Sequence, residues 1–151
     1  MKRLIFHLGL IVASGIAVAD ATAQCSCAPT YINITPHNEF KLAEVVLVGE
    51  ILDIQKTDLD ATTGHYTETI KIKVKRSWKQ DIESVVTIRN RVDGCTNGFK
   101  EKEEWLLYAY RNQNGSLVTY CCCTRTRPLS KAMEDLKEFR EKGELPAKVL
   151  K

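Results

Sequence analysis

Histidine is scarce in this chain of 151 residues, with three in all. His7 lies in an apolar N-terminal run, and His37 and His65 fit no His-x-x-x-His or His-Glu pattern, which argues against a metal-hydrolase helix. A glycine-rich phosphate loop and a nucleophile elbow are also missing, and no thioredoxin-like alternation of strand and helix surrounds Cys25-Ser26-Cys27. Asp58 and Asp60 form a carboxylate pair, but their turn-rich surroundings mark solvated turn residues rather than general acids. The chain is therefore not expected to be an enzyme, and no cofactor is expected. Charge of one sign is also in short supply: the formal net charge is only +3 and evenly spread, which excludes a dedicated nucleic-acid binder. There is no internal repeat, low-complexity tract or linker, so one compact domain is expected.

What is present begins with a leader. Lys2 and Arg3 precede an uncharged, mostly apolar run from Leu4 to Ala19, followed by small residues at Ala17, Ala19, Ala21 and Ala23. This is a secretory signal peptide, too short and too weakly flanked to span a membrane stably. Cleavage after Ala19 or Ala23 satisfies the small-x-small rule, whereas cleavage after Gln24 exposes Cys25; the expected division is 1–24 signal peptide and 25–151 domain. Losing Lys2, Arg3 and Asp20 lowers the net charge by one. All six cysteines, at 25, 27, 95, 121, 122 and 123, fall in the exported part, and an even count in an oxidising compartment reads as a disulfide framework.

The rest of the chain alternates in strand fashion. Glu44 to Gln55 is rich in Val, Ile and Leu with Gly49 at its middle, which predicts a central strand that bends or bulges and is buried on both faces. From Tyr66 to Trp78, Ile70, Ile72 and Val74 share one face and Lys71, Lys73 and Lys75 the other, which predicts a strand with one wet face. Together with Arg76 and Lys79 these lysines make a basic stripe, read as a solvated face. Lys56 to His65 is a hairpin loop. Further strands are expected over Val85 to Val92, Trp105 to Tyr110 and, after the Asn114-Gly115 turn, Leu117 to Tyr120. Five strands with short connections predict a mainly β fold, a small closed OB-like barrel. A C-terminal helix should pack on it, with Leu129, Ala132, Met133, Leu136 and Phe139 on one face, Ser130 as the cap and Gly143 at the end. A shorter helical turn is expected from Asn38 to Ala43, with Phe40 and Leu42 or Ala43 pinned to the core.

Cys25-Ser26-Cys27-Ala28-Pro29 at the start of the exported chain, the Val46-Leu47-Val48-Gly49 strand, Trp78-Lys79 closing a basic strand, Cys95 after the third strand and the tail Cys123-Thr124-Arg125-Thr126-Arg127-Pro128-Leu129 together carry a resemblance. The chain is similar to the N-terminal domain of the tissue inhibitors of metalloproteinases, netrin-like OB modules, and most closely to short bacterial members. It departs from the animal inhibitors in having no cysteine between Cys27 and Cys95 and no second domain; Thr96, where relatives commonly have glycine, follows Cys95, and Gly94 precedes it.

The resemblance implies a secreted, extracellular or periplasmic inhibitor whose partner is a zinc metalloprotease of the metzincin type. It implies that the Cys25 α-amine and carbonyl chelate the protease zinc, that Ser26 enters the specificity pocket, and that Cys27, Ala28, Pro29, Asp93 and Gly94 line the contact. It pairs Cys25 with Cys95 and Cys27 with Cys123. Cys121 and Cys122 are left over, as free or promiscuously paired thiols, a vicinal bridge, an interchain bridge or a soft-metal site. The domain is expected to be a monomer without nucleic-acid partner or stable membrane insertion. The alternative is a netrin-like module that binds another extracellular protein and inhibits nothing, its cysteines serving as staples. A bridge closing about 70 residues stabilises by about 4 kcal/mol in the chain-entropy model, enough to justify a staple alone.

Overall fold

A computed structural model describes residues 34–120 and 123–149. The leader, the Cys25 to Pro29 cluster, Cys121 and Cys122 lie outside the described residues.

Among the described residues, two α-helices and seven strands follow one another as α1 (Pro36–Leu42), β1 (Val45–Thr57), β2 (Tyr66–Trp78), β3 (Val85–Val92), β4 (Glu104–Arg111), β5 (Leu117–Tyr120), β6 (Arg127–Pro128), α2 (Met133–Glu141) and β7 (Lys148–Val149). Strands pair in the order β1-β2-β3-β5-β4, and β4 returns to β1, closing a five-stranded barrel of OB type. Every pairing is antiparallel except that of β3 with β5. Short β6 lies on β4, and β7 lies on the last turns of β2.

β1 closes the barrel because it is apolar on both faces. Val45, Leu47 and Ile51 point into the interior with Ile70, Ile72, Val74, Ile88, Trp105 and Leu107. Val46 and Val48 point the other way, into a second core shared with Phe40, Trp78, Leu106, Tyr108, Ala132 and Phe139. Gly49 lets the strand turn between these duties. The register with β2 slips there, and a Cβ on Gly49 would stand 2.4 Å from Ile72 Cγ2 and 2.8 Å from the Lys73 carbonyl oxygen.

Phe139 is the centre of the outer core, with ring centroids at 4.8 Å from Phe40, 5.6 Å from Trp78 and 6.2 Å from Tyr108. Here the C-terminal helix departs from expectation. It is broken into a 3-10 turn over Leu129–Lys131 and then α2, whose N-cap position is Ala132, so Ser130 caps nothing. Met133 is 64% exposed because it stands one residue, about 100°, off the stripe of Ala132, Leu136 and Phe139. Gly143 ends the helix as expected, at φ 74°. α1 starts two residues earlier than its pattern suggested: the Thr35 hydroxyl accepts from the Asn38 amide at 3.2 Å and Pro36 opens the first turn. Phe40 and Ala43 are buried there, and Leu42 is 61% exposed.

The basic stripe of β2 is only partly a solvated face. Lys71 and Lys73 are exposed, but Lys75 pairs with Glu104 at 2.6 Å and Glu50 at 3.3 Å. Lys79, at φ 72°, has left the strand altogether. Its ammonium donates to the carbonyls of Phe40, Lys41 and Ala43, closing the C-terminus of α1 where the helix dipole favours a cation.

Candidate functional site: the cysteine-bearing end of the barrel

Parallel pairing of β3 and β5, with Arg89 opposite Val118 and Arg91 opposite Tyr120, makes both strands leave the barrel at the same end. Cys95 follows β3 by three residues and Cys123 follows β5 by three. Both are disulfide-bonded. The hairpin between β1 and β2 reaches this end too, because Tyr66 at the start of β2 pairs with Val92 at the end of β3.

Asp93 and Gly94 sit between β3 and Cys95, both exposed. Gly94 holds φ at 90°, a conformation that favours glycine, so the chain turns sharply just before the half-cystine. The Asp93 carboxylate lies 3.4 Å from Arg91 Nε, a solvent-screened pair. Beyond Cys95 the loop is pinned by Phe99, which stacks on Trp105 at 4.4 Å inside the barrel mouth, and by the amide of Lys102, which donates to the Ile51 carbonyl at 2.8 Å. In the hairpin, the Asp60 carboxylate accepts the amides of Thr62 at 2.8 Å and Thr63 at 3.3 Å, which hold its carboxyl below the ordinary range. Asp58 pairs with Arg89 at 3.0 Å. Both carboxylates serve the turn, in keeping with their sequence context.

After β5, threonines fix the path that carries Cys123. Thr119 Oγ1 donates to the Tyr108 carbonyl at 3.1 Å and lies 3.1 Å from Thr126 Oγ1, which accepts the Tyr108 amide at 3.0 Å. Between them Arg125 enters a buried polar network. Its Nε and Nη2 donate to the two carboxylate oxygens of Asp135 at 2.9 and 2.8 Å, a bidentate pair. Nη1 donates to the carbonyl of Ile34 at 3.2 Å, and the backbone amide donates to Glu39 at 2.8 Å. Asp135 also accepts the Tyr108 hydroxyl at 2.8 Å, and Glu39 the Tyr110 hydroxyl at 3.1 Å.

The charges in this network are shifted by their surroundings. Burial pushes the Glu39 carboxyl up to about 7, against hydrogen bonds from the Arg125 amide and Tyr110 that pull it down. Burial first, then the Asp135 charge, drives the Tyr108 phenol far up, so it stays a donor. The hydrogen bonds to Asp135 raise Arg125 further and keep it a cation.

No family model and no curated protein matches the chain. The site therefore rests on its own geometry. Of the residues singled out from the sequence, the structure brings Asp93, Gly94, Cys95 and Cys123 to one end of the barrel, while Cys25, Ser26, Cys27, Ala28 and Pro29 lie outside the described residues. Sequence reasoning missed Glu39, Asp135 and the role of Arg125. Two of them carried a signal: Glu39 falls on the helical face of Pro36, Phe40 and Ala43, and Asp135 stands three residues from Ala132 and four from Phe139. Among the described residues, no group of three His, Cys, Asp or Glu side chains is arranged to hold a metal ion.

Proposed function

We propose that the chain is a secreted inhibitor of zinc metalloendopeptidases that presents its processed N-terminus, beginning at Cys25, to the zinc of the target. The observation that carries this reading is the arrival of two disulfide-bonded cysteines, Cys95 and Cys123, at one end of an OB barrel, with the exposed Asp93-Gly94 turn beside the first. In the reading, Cys25 pairs with Cys95 and Cys27 with Cys123, so the arm lies across that end as a tethered ridge. An α-amine with an ordinary pKa of about 7.7 to 8.0 deprotonates readily beside a divalent cation. Catalytic zinc holds a water beside its three protein ligands; the adjacent Cys25 amine and carbonyl oxygen would displace that water and, as two donors, bring the ion to five ligands. Ser26 then projects into the specificity pocket, and Ala28, Pro29, Asp93 and Gly94 form the flanks. The chain itself performs no chemistry.

The test turns on the chain end. Protein beginning at Cys25 inhibits at least some metzincin-type proteases, and the same protein with one added N-terminal alanine does not, because the amine becomes a poorly donating amide nitrogen. Ser26→Gly weakens or retargets inhibition with thermal stability unchanged, since in this reading Ser26 fills the protease's pocket. Equal inactivity of the native and extended forms across a protease panel, with the barrel folded, favours the non-inhibitory binding module in which the cysteines only staple the N-terminus.

A further inference from the structure

We propose that Arg125 is the positioning residue of the N-terminal arm: its guanidinium fixes where the chain before α1 leaves the barrel, and thereby aims Cys25 and Ser26. This rests on the inhibitor reading.

The geometry points beyond a structural salt bridge. A bridge between the β5 exit and α2 needs only Nε and Nη2 of Arg125 on Asp135. The remaining terminal nitrogen, Nη1, is spent on the carbonyl of Ile34, two residues before α1 and, among the described residues, outside every strand pairing. Arg125 is held for this task by its surroundings: its side chain is 16% exposed, its amide is taken by Glu39 from α1, and its fork is locked by the fully buried Asp135. Tyr108 orients that carboxylate from β4. Glu134, the other acid within reach, is a solvated neighbour at 3.5 Å.

Arg125 is also two residues from Cys123. With Cys27 paired to Cys123, one three-residue segment grips the arm twice, covalently at Cys27 and by hydrogen bond at Ile34. Two fixed points define a direction where one leaves a pivot. Chelation of a metal by an amine and the adjacent carbonyl oxygen is intolerant of a pivot, since a misplacement of about 1 Å costs on the order of a hundredfold in comparable pre-organised sites.

Removing Arg125 alone would leave the buried Asp135 carboxylate only the Tyr108 hydroxyl and the more distant Arg127 guanidinium, at 3.9 Å, and destabilise the domain for that reason. The informative variant is therefore Arg125→Met/Asp135→Asn, which deletes the charges together and leaves an amide oxygen to accept the Tyr108 hydroxyl. Asp135→Asn alone, which retains Arg125 and its bond to Ile34, is the control. Two quantities are read: the inhibition constant against a metzincin protease, and amide hydrogen exchange in residues 26–35 compared with residues 104–111. We expect the control to inhibit within about threefold of the native protein. The double variant should inhibit at least tenfold more weakly and exchange at least tenfold faster in residues 26–35, with residues 104–111 unchanged. Unchanged exchange and inhibition in the double variant overturn the proposal, as does faster exchange spread equally over both stretches, which is the mark of a purely structural salt bridge. If the native protein inhibits nothing, the inhibitor reading fails on that result, and the exchange comparison alone decides whether Arg125 positions the arm.

Discussion

Replacing Glu39 with Gln tests the buried polar network through its dependence on pH. Glu39 is fully buried, and its carboxyl is pushed up to about 7 in the fold against 4.5 in the unfolded chain. Between those values the native state holds a proton that the unfolded state has lost. Stability from this group is therefore complete below about 4.5 and falls as pH rises through 7. At 1.36 kcal/mol per pH unit the loss amounts to about 3 kcal/mol. Glutamine is neutral throughout and nearly isosteric. Its oxygen accepts the Arg125 amide, and its NH2 faces the Tyr110 hydroxyl, a group that can accept as well as donate. The variant should thus match the native protein near pH 5 and exceed it by up to about 3 kcal/mol at pH 8. Urea unfolding of both oxidised proteins at pH 5, 6, 7 and 8 reads the difference. A Glu39→Gln protein that is less stable than the native one at pH 8, or whose stability difference is flat across the series, would refute the reasoning that burial dominates this carboxylate.

Further expectations concern the outer core and the cysteines. Phe139→Ala removes the ring against which Phe40, Trp78 and Tyr108 pack, and should cost about 3–5 kcal/mol in denaturant unfolding; a loss under about 1 kcal/mol would mean that α2 contributes little to the fold. Non-reducing peptide mapping should find Cys25 joined to Cys95 and Cys27 to Cys123, and replacing both Cys121 and Cys122 with Ser should leave the thermal midpoint within a few degrees of the native value. A bridge between Cys25 and Cys27, or collapse of the double Ser variant, would remove the tethered arm.

Strand positions were the most legible part of the fold. β2, β3 and β5 have the bounds that their residue patterns suggested, because each carries an interior face set against a polar or mixed one. β1 and β4 run a little past their apolar stretches, since backbone pairing continues through Lys56, Thr57, Glu104 and Arg111, whose side chains carry no core signal. The start of α2 was misjudged because Ser130 has the composition of a cap, yet the 3-10 turn places the first helical residue beyond it. Lys75 and Lys79 looked solvated from alternation alone. Their partners, Glu50, Glu104 and the carbonyls ending α1, come from distant parts of the chain. The same holds for the site. Cys95 and Cys123 are visible as half-cystines, but what brings them to one end is the parallel pairing of β3 with β5 around β4, a long-range arrangement that a period of two does not encode.

The division of labour between the barrel's centre and its end bears on the choice between inhibitor and staple. Stapling is most needed where a domain is too small to bury a sufficient core, roughly below 70–80 residues. This domain has an interior cluster around Ile51, Ile72 and Trp105 and a second around Phe139, and beside the second the polar groups of Arg125, Asp135 and Tyr108 bond one another. Bridges at Cys95 and Cys123 leave from a loop and from the exit of β5, at the rim of those cores and not within them. Each bridge still constrains the unfolded chain and so stabilises the domain; on the inhibitor reading it also fixes the direction of the segment that begins at Cys25. The proposed inhibitor would use both features: half-cystines at the rim to tether the segment that begins at Cys25, and the largely buried Arg125 guanidinium, which donates to the Ile34 carbonyl ahead of α1, to direct it.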